Sequence, residues 1–320
     1  MDLEILRKAN SIEQINAEEI YEKYIANDLC FNYPGLFSSI AYSIPKGDGG
    51  VRQLHFLEPR LWILYYALGF YFLELTDTIR GALKPIQKRA SIYTYYGANI
   101  RADCPHKSQI HYLKDYKDFR KGIREAIRTQ IQDGKVAILH LDIQDFFSSI
   151  DHNYLMQILA KQASPALRIK LAYDEDTKFT IREILFLIMS RLEGLPMSPQ
   201  NIVSNLLSHL FLYPLDCFIR EIQMENPSSL TFHRYVDDMF ITVKFPNTSK
   251  NEEIGTKMLE ISNRIGEFLA SNLALSLNPL KTSLDILASE DEVENWIESS
   301  SQLLQPFARK PNKIASRGSE

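Results

Sequence analysis

The chain has 320 residues, of which 45% are hydrophobic, and its formal net charge is −4. This length can bury one or two sizeable cores, whereas the negative net charge argues against a uniformly basic nucleic-acid-binding protein. Cys30, Cys104 and Cys217 lie too far apart for a metal-binding or redox motif, so a reducing, cytoplasmic location is expected.

Neither a targeting signal nor a membrane span is expected in the N-terminal part of the chain. Asp2 and Glu4 are unlike the basic start of a signal peptide. The apolar run from Leu61 to Leu73 has 13 residues, which is too short to cross a bilayer. We therefore predict a buried helix there and no membrane association.

A glycine-rich turn separates two cations, Lys46 and Arg52. Because glycines allow tight turning, paired strands on either side could point both cations the same way. An ordinary charged hairpin tip at the surface is the alternative. The residues alone favour this alternative.

Positive charge is concentrated between Thr78 and Arg128, where twelve Lys or Arg residues face four acidic residues. Tyrosines are interleaved with these cations, as in surfaces that attract phosphates and stack bases. A helix is predicted at about residues 107–131. It could bind a polynucleotide, bind another protein or be a solvated face. The candidate nucleic-acid contacts are Arg101, Lys107, Lys114, Lys117, Lys121 and Arg124.

An apolar run from Val136 to Leu141 predicts a buried strand that ends at Asp142. A carboxylate at the last residue of such a strand lies at the edge of the core, where a ligand can reach it. The alternative is that Asp142 caps a helix beginning near Asp145. Asp145 or Ser148 could cap that helix equally well, so capping of this helix does not depend on Asp142.

Two β-prone runs flank the adjacent carboxylates Asp237 and Asp238, which predicts a hairpin with both at its tip. Two negative charges on a tight turn repel each other, and Mg²⁺ is the usual partner of clustered carboxylates in phosphoryl-transfer sites. A solvated Asp-Asp turn is the alternative.

The order of predicted elements after residue 135 is strand, helix, strand, strand, helix, strand. A helix is expected at about 153–161, followed by a helix-rich stretch at about 199–223, and the second helix at about 252–272. Residues 275–277 and 282–287 are the candidate final strands. This is the split βαβ order, in which the first and third strands are neighbours in one antiparallel sheet. Asp142 is therefore expected beside Asp237, so that three carboxylates converge on one edge.

The segment Tyr235–Asp238 and the pattern Asp-Ile-x-x-Phe-Phe at Asp142 together resemble the palm of reverse transcriptases. The resemblance covers roughly residues 40–287, and residues 142–152 most resemble the bacterial branch. It implies an α+β right-hand polymerase with a split βαβ (ferredoxin-like) palm. The implied domains are fingers at 1–134, a palm at 135–290 with finger helices inserted at about 153–193, and a C-terminal tail or start of a thumb at 291–320.

The resemblance also implies catalytic roles. Asp142 and Asp237 would bridge two Mg²⁺ ions, with Mn²⁺ possible, and Asp238 would be the third carboxylate. Lys281, in the matching Leu-Asn-x-x-Lys-Thr segment, would protonate or neutralise the leaving pyrophosphate.

Nucleotide-binding roles follow from the same resemblance. Lys46 and Arg52 would hold the incoming triphosphate, and Phe147 would exclude a 2′-hydroxyl, unless Phe147 is simply a core residue. Pro196 and Gln200 would line the pocket within the segment Gly194–Gln200. This segment departs from the family pattern, because Met197 and Ser198 stand where Gln-Gly is usual; Gln200 or Asn201 could replace the missing polar contact.

The function implied is synthesis of DNA from dNTPs on an RNA template, with antiphage defence in bacteria as the biological role. Little chain follows residue 287, so the thumb that grips the duplex in this family is expected to be short or absent. Either a partner subunit or further copies would grip the duplex instead, or the sequence is a portion of a longer polypeptide. Alternatives are a template-independent or protein-primed DNA polymerase, an RNA-templated RNA polymerase, which Phe147 disfavours, and a catalytically weak nucleic-acid-binding palm module, which the three aspartates disfavour.

Overall fold

The computed structural model describes residues 39–45, 51–76, 91–95, 98–99, 109–110, 112–132, 134–197, 201–225 and 230–303. Four residues with predicted binding roles lie outside these ranges, so the structure says nothing of them: Lys46, Arg101, Lys107 and Gln200.

The first described elements form an antiparallel hairpin, β1 (Ser39–Pro45) and β2 (Val51–Leu57). Pro45 pairs with Val51, and Ile44 with Arg52, so the predicted hairpin around the glycine-rich segment is confirmed. It leads into α1 (Pro59–Leu75), which begins at a proline, a residue suited to the first helical position. Its core-facing side chains include Leu61, Tyr65 and Phe72, as predicted for a buried helix.

A five-stranded sheet forms the centre of the molecule. Its strands are β3 (Ile92–Tyr95), β6 (Lys135–Asp142), β7 (Leu230–Tyr235), β8 (Asp238–Phe245) and β9 (Ser283–Leu287), in the order β3-β7-β8-β6-β9. β6 lies between β8 and β9 and is antiparallel to both, which is the predicted split βαβ arrangement. β3 adds to β7 in parallel. The α+β class and the adjacency of the first and third palm strands are confirmed.

The helix α2 (Tyr112–Ile131) packs on one face of this sheet and follows a short antiparallel pair, β4 (Ala98–Asn99) and β5 (Gln109–Ile110). Phe119 of α2 lies against the rings of Tyr235 and Phe240, with ring centroids 5.7 and 5.9 Å apart. Gly122 allows a close approach, because a Cβ there would lie 2.7 Å from the ring of His233.

Among the residues that the structure describes between β6 and β7 there are five helices: α3 (Phe146–Ser149), α4 (His152–Gln162), α5 (Pro165–Lys170), α6 (Glu175–Ile188) and α7 (Ile202–Glu225). Side chains cap three of them: Asp151 accepts from the Tyr154 N–H, Ser164 from that of Leu167 and Asp174 from that of Thr177.

The helix α7 is long and apolar enough to cross a membrane, and no other helix in the described ranges is. Its most apolar 18-residue stretch is 72% buried inside the protein, as expected for the core helix of a globular fold. It packs against α8 (Asn251–Leu273), where the rings of Phe218 and Phe268 stack at 4.4 Å.

The chain after α8 differs from prediction in one respect. Of the predicted strand at residues 275–277, only an isolated bridge between Leu277 and Ile143 forms. Pro279 follows and has no N–H to extend a ladder, so pairing stops there. β9 and α9 (Glu290–Leu303) complete the described chain. The proposed division into fingers, palm and tail stays a prediction.

Candidate active site

Three carboxylates lie at one edge of the central sheet. Asp142 is the last residue of β6 and Asp238 the first of β8, and they are direct Cα partners across the two strands. Asp237 precedes Asp238 in the connecting turn. The prediction that both paired aspartates form the tip was wrong by one residue: the turn is Val236 and Asp237, because Asp238 already pairs with both Tyr235 and Asp142.

The turn has a strained backbone. Val236 adopts a φ of 55°, in the left-handed region that β-branched residues rarely occupy. Its N–H donates to the Tyr95 carbonyl at 3.2 Å, so the added strand β3 helps to hold the turn. Such conformations persist where surrounding contacts determine them, and they are common at functional sites.

Asp142 is almost completely buried and is held by the segment that follows α8. Its Oδ1 accepts from Lys281 Nζ at 3.1 Å and its Oδ2 from Asn278 Nδ2 at 3.3 Å, while its carbonyl accepts from the Asn278 N–H at 2.8 Å. Burial by itself would lower the pKa of Lys281, but the hydrogen bond and charge of Asp142, with the other two carboxylates, raise it above its usual value. Lys281 is therefore a cation in the neutral pH range.

Asp238 has a different partner, His140, whose Nε2 lies 3.3 Å from Asp238 Oδ1. The His140 ring stacks on Phe240 at 4.3 Å between centroids. Sequence reasoning missed both His140 and Asn278. His140 could have been found from strand alternation, because a residue two positions before Asp142 shares its face. Asn278 is the asparagine of the Leu-Asn-x-x-Lys-Thr segment, and its place in that segment could have identified it.

Charge is crowded at Asp237. Burial, followed by the charges of Asp238 and Asp142, raises the pKa of Asp237 to about 7. Carboxylate oxygens are the ligands that Mg²⁺ prefers, and a divalent cation would relieve this repulsion, so the donor set fits such an ion.

Two cationic or potentially cationic side chains also contact these carboxylates. Across the described ranges, no three acidic, cysteine or histidine side chains are grouped closely enough to hold a metal ion. Lys281 and His140 contact the carboxylates of Asp142 and Asp238 instead. The backbone brings the predicted residues to one edge, where an ion bound to Asp142 Oδ1 would displace the Lys281 ammonium.

Phe147 lies next to the segment predicted to line a nucleotide pocket. Its side chain is half-buried, and its carbonyl accepts from the Leu195 N–H at 2.8 Å. Gly194 has a φ of +104°, and a Cβ there would lie 2.7 Å from the Phe147 carbonyl oxygen. Only glycine therefore allows this close approach between the two segments.

Pro196 is buried, and its carbonyl accepts from Asn201 Nδ2 at 2.9 Å and from Ser204 Oγ at 2.7 Å. Asn201 Oδ1 in turn accepts from the Ser204 N–H. The suggestion that Asn201 replaces a polar nucleotide contact is therefore wrong, because this buried side chain holds the start of α7.

The β1–β2 hairpin is tied to the same segment. The His55 N–H donates to the Met197 carbonyl at 2.8 Å, and the Met197 N–H donates to His55 Nδ1 at 3.3 Å. Arg52, which is half-buried, lies three residues earlier on β2. The predicted triphosphate-binding hairpin and the predicted pocket segment are thus joined directly.

The outer side of α2 carries the remaining predicted cations. Lys114, Lys117 and Lys121 are exposed and Arg124 is half-buried. Burial, then the charges of Arg120 and Arg128, lower the pKa of Arg124. We call this side the α2 basic face; its shallow cleft is lined by Lys117, Arg120, Lys121, Arg124, Glu125 and Arg128.

Acidic residues neutralise part of the α2 basic face. Asp118 lies 3.7 Å from Lys114, and Glu125 lies 3.6 Å from Lys121. Arg128 makes a bidentate salt bridge with Glu294 of α9, in which its Nε and Nη2 donate to the two carboxylate oxygens. Exposed pairs of this kind are weak and are screened by salt, so they can exchange for phosphate groups.

The family model described as "Reverse transcriptase (RNA-dependent DNA polymerase)" matches residues 82–295. This range contains the three aspartates, Phe147 and Lys281. A search of curated proteins gave no match.

Among solved structures, the chain is similar to telomerase from Candida albicans in complex with a fragment of telomeric RNA, with 13% identity, a TM-score of 0.44, and coverage of 83% of this chain and 47% of that one. The corresponding values for the complex from Candida tropicalis are 12%, 0.41, 82% and 44%. The chain thus spans less than half the length of these two telomerases. Because the family model matches most of its length, the chain belongs to the reverse transcriptase (RNA-dependent DNA polymerase) family.

Proposed function

We propose that this chain is the catalytic part of an RNA-directed DNA polymerase that transfers nucleotides from dNTPs to a 3′ end. The observation that carries the proposal is the direct pairing of Asp142 with Asp238, beside Asp237 in the turn. Asp142 and Asp238, which lie 96 positions apart in the sequence, thereby supply carboxylates to one edge of the sheet.

In this proposal Asp142 and Asp237 would hold two Mg²⁺ ions, for which Mn²⁺ could substitute, and Asp238 would be the more peripheral carboxylate. When bound, such ions would lower the charge on the phosphates and help to activate the attacking 3′ oxygen. Lys281 stays protonated beside Asp142 and can give a proton to the leaving pyrophosphate. His140 and Asn278 orient Asp238 and Asp142 through their hydrogen bonds.

The incoming dNTP is proposed to lie between the hairpin and the Gly-Leu-Pro segment. Lys46 and Arg52 would hold its triphosphate, Phe147 would exclude a 2′-hydroxyl, and Pro196 and Gln200 would line the pocket. The hydrogen bonds between His55 and Met197 support this, because they join the two segments that the substrate would bridge.

The RNA template and DNA product are proposed to contact the α2 basic face, with Arg101 and Lys107 contributing from outside the described residues. Closely spaced cations attract phosphates without reading sequence. A partner subunit or a second copy would add the duplex grip that a thumb provides.

Two alternatives have specific support. Met197 and Ser198 replace the usual Gln-Gly of the template-lining segment, which favours a template-independent or protein-primed DNA polymerase. The contacts that Lys281 and His140 make with the carboxylates favour a catalytically weak nucleic-acid-binding module.

One experiment separates these functions. The protein is incubated with Mg²⁺ and labelled dNTPs or NTPs, with and without an RNA template and DNA primer. Templated dNTP incorporation that Asp237→Asn abolishes supports the proposal, whereas template-free incorporation supports the first alternative. Asp285→Asn, on β9 of the same sheet, is the matched control and should keep full activity. Absence of incorporation in the wild-type protein would reject the proposal.

The biological role proposed is antiphage defence in the bacterial cytoplasm, supported by the resemblance of residues 142–152 to the bacterial branch. Phage plating on bacteria that express the wild-type chain or Asp237→Asn tests it. Equal plating efficiency on both strains would contradict this role.

A further inference from the structure

A buried arginine lies directly behind the aspartate turn. Arg234, on β7, is fully inaccessible to solvent. Its Nε and Nη2 donate to the two carboxylate oxygens of Asp216 on α7, at 2.8 and 2.5 Å. Nη2 also lies 3.3 Å from His209 Nδ1, and Nη1 donates to the Val236 carbonyl at 3.0 Å. The arginine thus joins the long core helix to the turn that contains Asp237.

Stability alone does not explain this cluster. A buried ion pair is often no more stabilising than well-packed apolar residues of similar volume, because both charges lose their hydration. Burial raises the pKa of Asp216, and the charge of Arg234 opposes that rise. Burial and the same charge lower the pKa of His209, so His209 is neutral and its Nδ1 can accept a hydrogen bond. Asp216, His209 and the Val236 carbonyl are therefore all held around the guanidinium.

The Nη1 group of the guanidinium binds the turn itself. The Val236 carbonyl belongs to the peptide group that joins Val236 to Asp237. The N–H of Val236 is held by Tyr95 and its carbonyl by Arg234, so both polar groups of this left-handed residue have partners. The first contact holds the Tyr235–Val236 peptide and the second holds the Val236–Asp237 peptide, from which Asp237 projects.

We propose that Arg234, clamped by Asp216, is a positioning residue that fixes the Val236–Asp237 peptide and thereby aims the Asp237 carboxylate at the edge shared with Asp142. Arginine suits this task, because its planar fork binds a carboxylate with two donors while a third points elsewhere. A lysine presents its donors from one point and does not reproduce this geometry. The proposal rests on the proposed function only for the catalytic importance of Asp237.

Three variants test it. Arg234→Lys keeps the charge opposite Asp216. The double variant Arg234→Met with Asp216→Leu replaces the ion pair by apolar side chains and covers the case in which Arg234→Lys fails to fold. Gln223→Leu is the matched control, since Gln223 Nε2 bonds the Leu230 carbonyl and so joins α7 to the opposite end of β7.

Hydrogen–deuterium exchange at residues 236–238 is measured without metal or nucleotide. We expect exchange about 10- to 100-fold faster in Arg234→Lys and in the double variant, from loss of a bond to a charged donor, with no change there in Gln223→Leu. Turn exchange unchanged in whichever of the two variants folds, or equally accelerated in Gln223→Leu, would overturn the proposal.

Binding of Mn²⁺ alone is the second readout. Arg234→Lys should weaken it about tenfold while Gln223→Leu leaves it unchanged, since a misdirected carboxylate loses a charge-assisted contact. Unchanged Mn²⁺ binding in Arg234→Lys would overturn the positioning role. If the wild-type protein binds no Mn²⁺ and incorporates no nucleotide, the proposed function fails, and the exchange result still decides the role of Arg234.

Discussion

The ammonium of Lys281 lies 3.1 Å from Oδ1 of Asp142, the carboxylate at the end of the central strand β6. A cation supplied by the chain thus occupies an oxygen that the proposed mechanism assigns to a divalent ion. Lys281 is half-exposed, whereas Asp142 is almost completely buried, so the lysine can leave and the carboxylate cannot. This relationship gives Lys281 two separable effects, on ion binding and on catalysis.

Lys281→Met should slow nucleotide incorporation by about 100-fold, because the departing pyrophosphate loses its proton donor. The same variant should bind Mn²⁺ alone more tightly than the wild-type protein, because the competing ammonium is gone. Incorporation rates and Mn²⁺ titrations measure the two effects. Lys257→Met, on the exposed side of α8, is the control; full activity of Lys281→Met would refute the role.

The ionisation of Asp237 should make the metal-free protein less stable as pH rises. Burial and the neighbouring carboxylates raise its pKa in the folded state to about 7, from an ordinary value of 3.8. Between these values the folded form holds a proton that the unfolded form has lost, so stability falls as pH rises through this window. Above it the full penalty is present.

Asp237→Asn removes this penalty. In the presence of a chelator at pH 8, the variant should unfold at least about 2 °C above the wild-type protein, and the difference should shrink towards pH 4. Added Mg²⁺ should raise the unfolding temperature of the wild-type protein more than that of the variant. A difference independent of pH would show that the charge of Asp237 is not the cause.

Phe147→Ala should raise the use of ribonucleotides relative to deoxynucleotides by about tenfold or more, because an aromatic ring that excludes the 2′-hydroxyl is removed. Competition between dNTPs and NTPs measures the ratio. Phe146→Leu is the matched control: Phe146 is buried, so this change should lower stability and leave the ratio unaltered. An unchanged ratio in Phe147→Ala would assign Phe147 to the core.

Much of this arrangement could be predicted because it depends on local patterns. The apolar run before Asp142 and the β-prone runs around Asp237 identify strands, and their order gives the split βαβ sheet. The contacts of His140 and Asn278 could not be predicted, because they join residues 98 and 136 positions from their partners. They depend on the final register and on the path of the chain after α8.

Removing two charges from the α2 basic face should weaken binding of an RNA–DNA duplex irrespective of sequence. For Lys117→Ala with Lys121→Ala, we expect the slope of log binding constant against log salt concentration to become less negative by about 1 to 2. Fluorescence anisotropy at several salt concentrations measures it. Lys170→Ala with Lys178→Ala, on α5 and α6, removes the same charge elsewhere; an equal loss there would exclude a specific role for α2.

The most direct measurement is an anomalous diffraction map from crystals of the wild-type protein soaked in Mn²⁺. We expect Mn²⁺ bonded to carboxylate oxygens of both Asp142 and Asp237, with the Lys281 ammonium displaced from Asp142. Mn²⁺ bound only at other residues, or none at this edge of the sheet, would contradict this expectation.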